Sequence, residues 1–276
     1  MSDQPRITLN DGNTIPQLGF GVWQTPADGT ADAAGLALKA GYRHLDTAAI
    51  YGNEAGIGEA VRQSGLDRKD IFVTTKLWND NQGYDTTLKA FDESMTKLGL
   101  DYVDLYLIHW PAPKRDHYVD TWRAFLKLKE EGRIRSVGVS NFAEEHLERL
   151  ISETGVTPVL NQIELHPRFQ QRKLRAVHDR LGIKTESWSP LGQGGLFNDP
   201  VIVEIAGRLG KTAAQVIIRW HLDNGLIVIP KSVTPARIAE NFDVFGFKLE
   251  QADLDRIAGL DDEAGRIGPD PLTATF

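Results

Sequence analysis

Short apolar runs alternate with longer stretches of helical periodicity along most of the chain. The runs fall at 17–22, 43–47, 71–77, 103–110, 134–139, 159–163, 184–188 and 226–230. Several are almost continuously apolar, as parallel strands are when both faces are covered. Between them the apolar positions switch to a helical spacing. Leu88, Phe91, Met95 and Leu98 recur in this way, as do Val119, Trp122, Phe125, Leu126 and Leu128, and again Leu147, Leu150 and Ile151. Gly41, Gly65, Gly99, Gly132, Gly155, Gly182 and Gly225 stand where such stretches end, the position at which a left-handed residue stops a helix.

About eight strand–helix repeats predict an α/β fold, a (β/α)8 TIM barrel, with an open doubly wound sheet as the competing arrangement. No linker composition or charge block divides the chain, so 1–276 is expected to be a single domain. The segments 6–9 and 13–16 around Asn10-Asp11-Gly12 predict an N-terminal β-hairpin. The residues after Gly265 predict a short irregular C-terminal loop.

Composition then removes whole classes of function. A net charge of −7 makes the chain a poor general binder of polyanions, so neither nucleic acid nor an anionic membrane is an expected partner. The absence of cysteine excludes disulfides, thiolate catalysis, Cys-ligated zinc and iron–sulfur clusters. No basic segment leads into an apolar run at the N-terminus, and no apolar run approaches the ~18 residues of a membrane span. A soluble, cytoplasmic monomer acting on a small molecule is expected.

In a barrel of this kind the active site forms at the C-terminal ends of the strands. Those ends carry Asp46 with Tyr51 beyond it, Lys76, His109, then Ser140 and Asn141, Gln162 and Trp188. An acid, a phenol, a cation and an imidazole on neighbouring strands suit proton transfer to a developing alkoxide. Lys76 would lower the pKa of Tyr51, Asp46 would hold Lys76, and His109 would orient a carbonyl. Each residue also has a plainer reading: Asp46 as a helix cap, Tyr51 and His109 as satisfied core residues. Lys76 is the hardest to explain so, because a lysine inside Phe72-Val73-Thr74-Thr75-Lys76-Leu77 must be paired. Trp23, Trp78 and Trp110 gather at the same ends and could wall a substrate pocket with His109, while Trp188 could stack on a flat ring.

The glycine patterns are weaker. Gly19-Phe20-Gly21 is followed by Gln24 where a dinucleotide fingerprint needs glycine, and 52–58 lacks the ending of a P-loop. The loop Gly192-Gln193-Gly194-Gly195 could cradle a phosphate. Lys231, Ser232 and Arg237 after the last strand could make an anion pocket where barrels commonly bind phosphate, or simply be ordinary charges on a solvated loop. His109 and His166 follow different strands without HExxH or a compact carboxylate cluster, so no metal is expected, and Glu164 and His166 read as structural.

Taken together these segments resemble the aldo-keto reductase family over nearly the whole chain. The segments are 41–48 with Tyr51-Gly52-Asn53-Glu54, 105–111 with His109, Gly138-Val139-Ser140-Asn141-Phe142, 161–167 and Ile229-Pro230-Lys231-Ser232. Within the family, 188–194 and 75–80 are most similar to bacterial 2,5-diketo-gluconate reductases. The resemblance implies NADPH-dependent reduction of a carbonyl group, in an aldehyde, ketone, dicarbonyl or keto-sugar. It places the catalytic tetrad on Asp46, Tyr51, Lys76 and His109, with Tyr51 as proton donor. It places nicotinamide contacts on Ser140, Asn141 and Gln162, and stacking on Trp188, where many members carry tyrosine. Pyrophosphate contacts fall near Leu191 to Gly194, on Leu191, Gln193 and Gly194, and Ser189 is a further cofactor contact. Contacts to the 2′-phosphate fall on Lys231, Ser232, Val233 and Arg237, and adenine contacts on Glu240 and Asn241. Thr234 stands where some relatives carry a cation, which implies a less basic phosphate pocket, and the short C-terminal loop implies an open one. Two other readings remain: a barrel lyase or aldolase with Lys76 as Schiff-base nucleophile, and a non-catalytic, NADPH-sensing binding subunit.

Overall fold

The computed structural model describes residues 4–276. A hairpin of β1 (Arg6–Thr8) and β2 (Thr14–Pro16) pairs antiparallel, with Ile7 opposite Ile15. Its turn closes where the sequence predicts, through Gly12 at a φ of 86°. Eight parallel strands follow: β3 (Phe20–Gly21), β4 (His44–Asp46), β5 (Phe72–Leu77), β6 (Val103–Ile108), β7 (Ile134–Ser140), β8 (Leu160–Glu164), β9 (Lys184–Trp188) and β10 (Ile227–Val228). They are hydrogen-bonded in chain order from β3 to β10. The sheet then closes on itself. Leu18 bridges Val228 in parallel, and the amides of Gly19 and Gly21 donate to the carbonyls of Val228 and Pro230. The barrel is therefore shut, and the doubly wound alternative is set aside.

Helices return the chain between strands and cover the outside. The three predicted helical stretches appear as Tyr84–Leu98, Tyr118–Glu130 and Glu144–Thr154. All seven predicted terminating glycines have positive φ. Beyond Gly265 the chain forms neither helix nor strand. Among the described residues no helix is long and apolar enough to cross a membrane.

Two kinds of residue fill the barrel interior. At the N-terminal end Phe72, Leu105, Leu107, Val159, Leu160 and Ile227 pack with Leu9 and Ile15 of the hairpin, which plugs the floor. Towards the other end the inward positions turn polar. His44 and Asp46 on β4, Thr74 and Lys76 on β5, Gln162 on β8 and Glu186 on β9 are all fully or nearly fully buried. Buried charges cost several kcal/mol each in desolvation, of order 3 or more, and a paired set seldom stabilises a fold. So polar a layer at the C-terminal ends of barrel strands points to chemistry rather than to packing.

Candidate active site

The strand ends open onto a groove of two adjoining cavities. One, of about 660 Å³, is walled by Asp46, Tyr51, Trp78, His109, Trp110, Ser140, Asn141, Gln162 and Trp188. The other, of about 640 Å³, is walled by Leu191, Gly194, Ser232, Val233, Arg237, Glu240 and Asn241. Trp23, Gln24, Ser189, Pro190, Gln193 and Lys231 line both and join them. Every predicted site residue except Lys76 thus faces the groove. Lys76 is fully buried behind the wall.

Lys76 is held by two acceptors. Its Nζ donates to Asp46 Oδ1 at 2.6 Å and to the Thr47 carbonyl at 2.9 Å. Burial, the largest single influence, would push its pKa down, but the surrounding acidic groups, Asp46 foremost, together outweigh it and the net shift is upward. The ammonium lies 5.2 Å from the centre of the Tyr51 ring. Burial raises the Tyr51 hydroxyl pKa, opposed by the Lys76 charge. The net direction is up, contrary to the expected lowering, because desolvation of the phenolate exceeds what the cation returns. Tyr51 therefore stays protonated at neutral pH.

His109 stands edge-on to Tyr51, with ring centres 5.6 Å apart, and edge-on to Trp78 at 5.3 Å. Burial, and secondarily the Lys76 charge, hold its pKa well below the usual histidine value, so the ring is a neutral hydrogen-bonding group.

Asn141 ties these parts together. Its Nδ2 donates to the His109 carbonyl at 3.0 Å, and its Oδ1 accepts from Trp188 Nε1 at 2.8 Å. Ser140 Oγ donates to the Gln162 carbonyl at 2.8 Å. Asn141 has φ of 61°, and Gln24, Ser189 and Gln193 in the same walls are also left-handed at 57°, 47° and 52°. Such conformations in non-glycine residues cost on the order of 1 kcal/mol each and gather where a site needs them.

The tail departs from the sequence reading. Glu164 Oε1 accepts from the Ile267 amide at 2.6 Å and from His166 Nε2 at 3.2 Å, while Oε2 accepts from the Gly268 amide at 2.7 Å. Burial would raise this carboxyl, but His166 and the two amides outweigh it and hold it below the usual value. The clasp leads the tail across the mouth. There Phe276 stacks on Trp78 and meets Trp110 edge-on, and Asn79 Nδ2 donates to the Phe276 carbonyl at 3.0 Å. The pocket is therefore partly roofed rather than open, although the loop is short. Glu164→Gln removes the charge behind two charge-assisted bonds of roughly 1.5–3 kcal/mol each. The amides of Ile267 and Gly268 should then exchange with solvent at least ~10-fold faster by hydrogen exchange. Unchanged exchange would show that the clasp does not hold the tail.

Several wall residues went unnoticed in the sequence: Gln24, Ile50, Phe197 and Phe276. Glu186, behind the wall, was missed too. A carboxyl two positions before Trp188 in a strand shares its inward face, a signal available from alternation alone.

A model of the aldo/keto reductase family matches residues 17–262. The chain belongs to the aldo/keto reductase family. It is similar over almost its whole length to curated members. An aldo-keto reductase of Mycolicibacterium smegmatis is 62% identical over 273 residues, covering 99% of this chain and 98% of the relative. The methylglyoxal reductase DkgA of Escherichia coli is 54% identical over 273 residues, 98% of each chain. Among solved structures, a variant of Gox0644 in complex with NADPH superposes with a TM-score of 0.96 at 55% identity, covering 99% of both chains. As in this aldo/keto reductase, barrel neighbours of such similarity carry the same fold.

Proposed function

We propose that this aldo/keto reductase uses NADPH to reduce a small carbonyl compound to an alcohol, with Tyr51 as proton donor. One observation carries the reading. The cavity that gathers Tyr51, His109 and Asp46, with Lys76 paired to Asp46 behind its wall, runs directly into a second cavity bearing Lys231 and Arg237. A reduced dinucleotide with a flat reactive ring at one end and a phosphate at the other suits that groove. Similarity to methylglyoxal reductases and to an NADPH complex supports the same assignment.

Bound in the groove, NADPH supplies the hydride. The protein's part is positioning and proton supply. Lys231, Ser232 and Arg237 would hold the phosphate, Leu191, Gln193 and Gly194 the pyrophosphate, with Ser189 a further cofactor contact, and Glu240 and Asn241 the adenine. Gln162, Ser140 and Asn141 would hold the carboxamide against Trp188. Trp23, Trp78 and Trp110 would enclose the apolar part of the substrate. The substrate oxygen would lie between Tyr51 and neutral His109, and Tyr51 would give its proton as negative charge grows on that oxygen. Lys76, kept cationic by Asp46, would steady the phenolate left behind. Because every proposed role falls on a residue of one chain, we take the enzyme to work as a single barrel domain and a monomer, and to act in the cytoplasm as its sequence suggests.

The lyase reading meets a physical obstacle. A Schiff-base nucleophile must be a free amine. Lys76 donates to two oxygens and its pKa is raised. The test is NADPH oxidation across aldehydes, dicarbonyls and keto-sugars, methylglyoxal among them. Turnover on at least one class is expected. NADPH binding without turnover on any would favour a sensing subunit, and borohydride trapping of substrate on Lys76 would favour the lyase.

A further inference from the structure

Glu186 lies on β9 two residues before Trp188, is fully buried, and has no part in the proton transfer. The parallel register sets it beside Gln162 on β8. Gln162 Nε2 donates to Glu186 Oε2 at 2.8 Å and to Asp46 Oδ2 at 2.9 Å. A primary amide nitrogen carries two hydrogens, so both are taken by carboxyl groups. Turning the amide over would set its oxygen against the Asp46 carboxylate, which can only accept. Asn141 and Ser140 have their own side chains engaged, with Trp188, His109 and the Gln162 carbonyl. The Gln162 side-chain oxygen, which accepts no hydrogen bond among the described residues, is thus available to a ligand in the cavity that Gln162 lines.

We propose that Glu186 is a positioning residue for the cofactor. It fixes the Gln162 amide with its oxygen towards the cavity, ready to accept an N–H of the nicotinamide carboxamide, and through the same amide it steadies Asp46 on Lys76. This rests on the reading that Gln162 meets the carboxamide.

The surroundings explain why a carboxyl can serve there. The titratable and charged groups facing it are His44 and Asp46 on β4 and Lys76 on β5. Burial first and the Asp46 charge second raise Glu186 to about 8. At neutral pH it is mainly a neutral acid, accepting the amide bond without a second net negative charge beside Asp46. His44 Nε2 is 3.7 Å from Glu186 Oε1 and is pushed down to about 3, so it adds no positive charge. As pH rises through about 8, Glu186 ionises and becomes a stronger acceptor. That polarises the amide and makes its oxygen a better acceptor in turn.

The experiment titrates NADPH and its acetylpyridine analogue, which keeps a carbonyl but lacks the amide N–H. The proteins are the wild type, Glu186→Gln and Glu186→Leu, followed by cofactor fluorescence from about pH 7 to about pH 9. The wild type should favour NADPH over the analogue by about ten-fold, the effect of one hydrogen bond, and more at the alkaline end. Glu186→Leu should bring the ratio towards one. Glu186→Gln, whose amide oxygen accepts the same N–H, should keep the ratio but lose its pH dependence. The inference is overturned if Glu186→Leu keeps the wild-type ratio, or if Glu186→Gln keeps the wild-type pH dependence or loses the ratio as leucine does. Should Glu186→Leu fail to fold, the Glu186→Gln profile decides. A wild type that binds both cofactors equally would overturn the reading of Gln162 itself, and the inference with it.

Discussion

Tyr51→Phe should lower carbonyl turnover by roughly 10²–10⁴ while NADPH binding stays within about two-fold. The substitution keeps the ring, and with it the edge-on contact to His109 at 5.6 Å and the approach of Lys76 Nζ at 5.2 Å. It removes only the hydroxyl, the proposed acid. Because burial holds that hydroxyl above its ordinary pKa, it is protonated throughout the neutral range, and reduction should not fail for want of a proton below about pH 9. The reverse reaction needs the phenolate, so alcohol oxidation should instead climb as pH rises. Single-turnover mixing of enzyme, NADPH and carbonyl separates binding from chemistry. Near-normal single-turnover rates in Tyr51→Phe would remove the tyrosine from the proton transfer.

Much of this site could be read without coordinates, for reasons that differ by residue. Lys76 betrays itself because an ionisable side chain inside Phe72–Leu77 must be paired. Asp46 and His109 follow from their place at the C-terminal ends of apolar runs, once a barrel is inferred from the alternation of strands and helices. Barrel closure is different. It depends on backbone pairing of Leu18 with Val228, residues at opposite ends of the chain, and no side-chain pattern encodes that contact. The left-handed conformations of Gln24, Ser189 and Gln193 were hidden, since these residue types give no sign of positive φ, whereas Asn141 is of a type that adopts it more often. Loop length alone misleads about the tail, because its course over Trp78 is set by bonds from Ile267 and Gly268 to a distant carboxylate. For Tyr51 the sequence names the opposing influences, burial and Lys76, but only packing decides that burial wins.

Arg237→Ala should weaken NADPH binding by roughly 10- to 150-fold and leave NADH nearly unchanged. The two cofactors differ only in the phosphate on the adenosine ribose. Arg237 lines the second cavity and Lys231 stands where the two cavities join, both are exposed, and neither forms an ion pair among the described residues. A dianionic phosphate bound there would meet two cations that have no carboxylate partner to give up. Ser232 adds a hydroxyl, which accepts from the Thr234 amide at 3.2 Å and keeps its own proton free to donate. One bond to a charged group contributes about 1.5–3 kcal/mol, which gives the stated range. Because these groups face solvent, part of the attraction is screened, and the preference for NADPH should shrink as salt rises towards about 1 M. Thr234 is neutral and brings no third cation to the loop, so the preference should be moderate, with NADH still bound measurably. Titrating both cofactors into wild type and variant at low and high salt checks each part. Equal weakening of NADPH and NADH would show that Arg237 supports the loop as a whole rather than reading the 2′-phosphate. A salt-independent preference would mean that the discriminating contact is buried, and would shift the assignment from these exposed cations to the hydroxyl and backbone groups of the same loop.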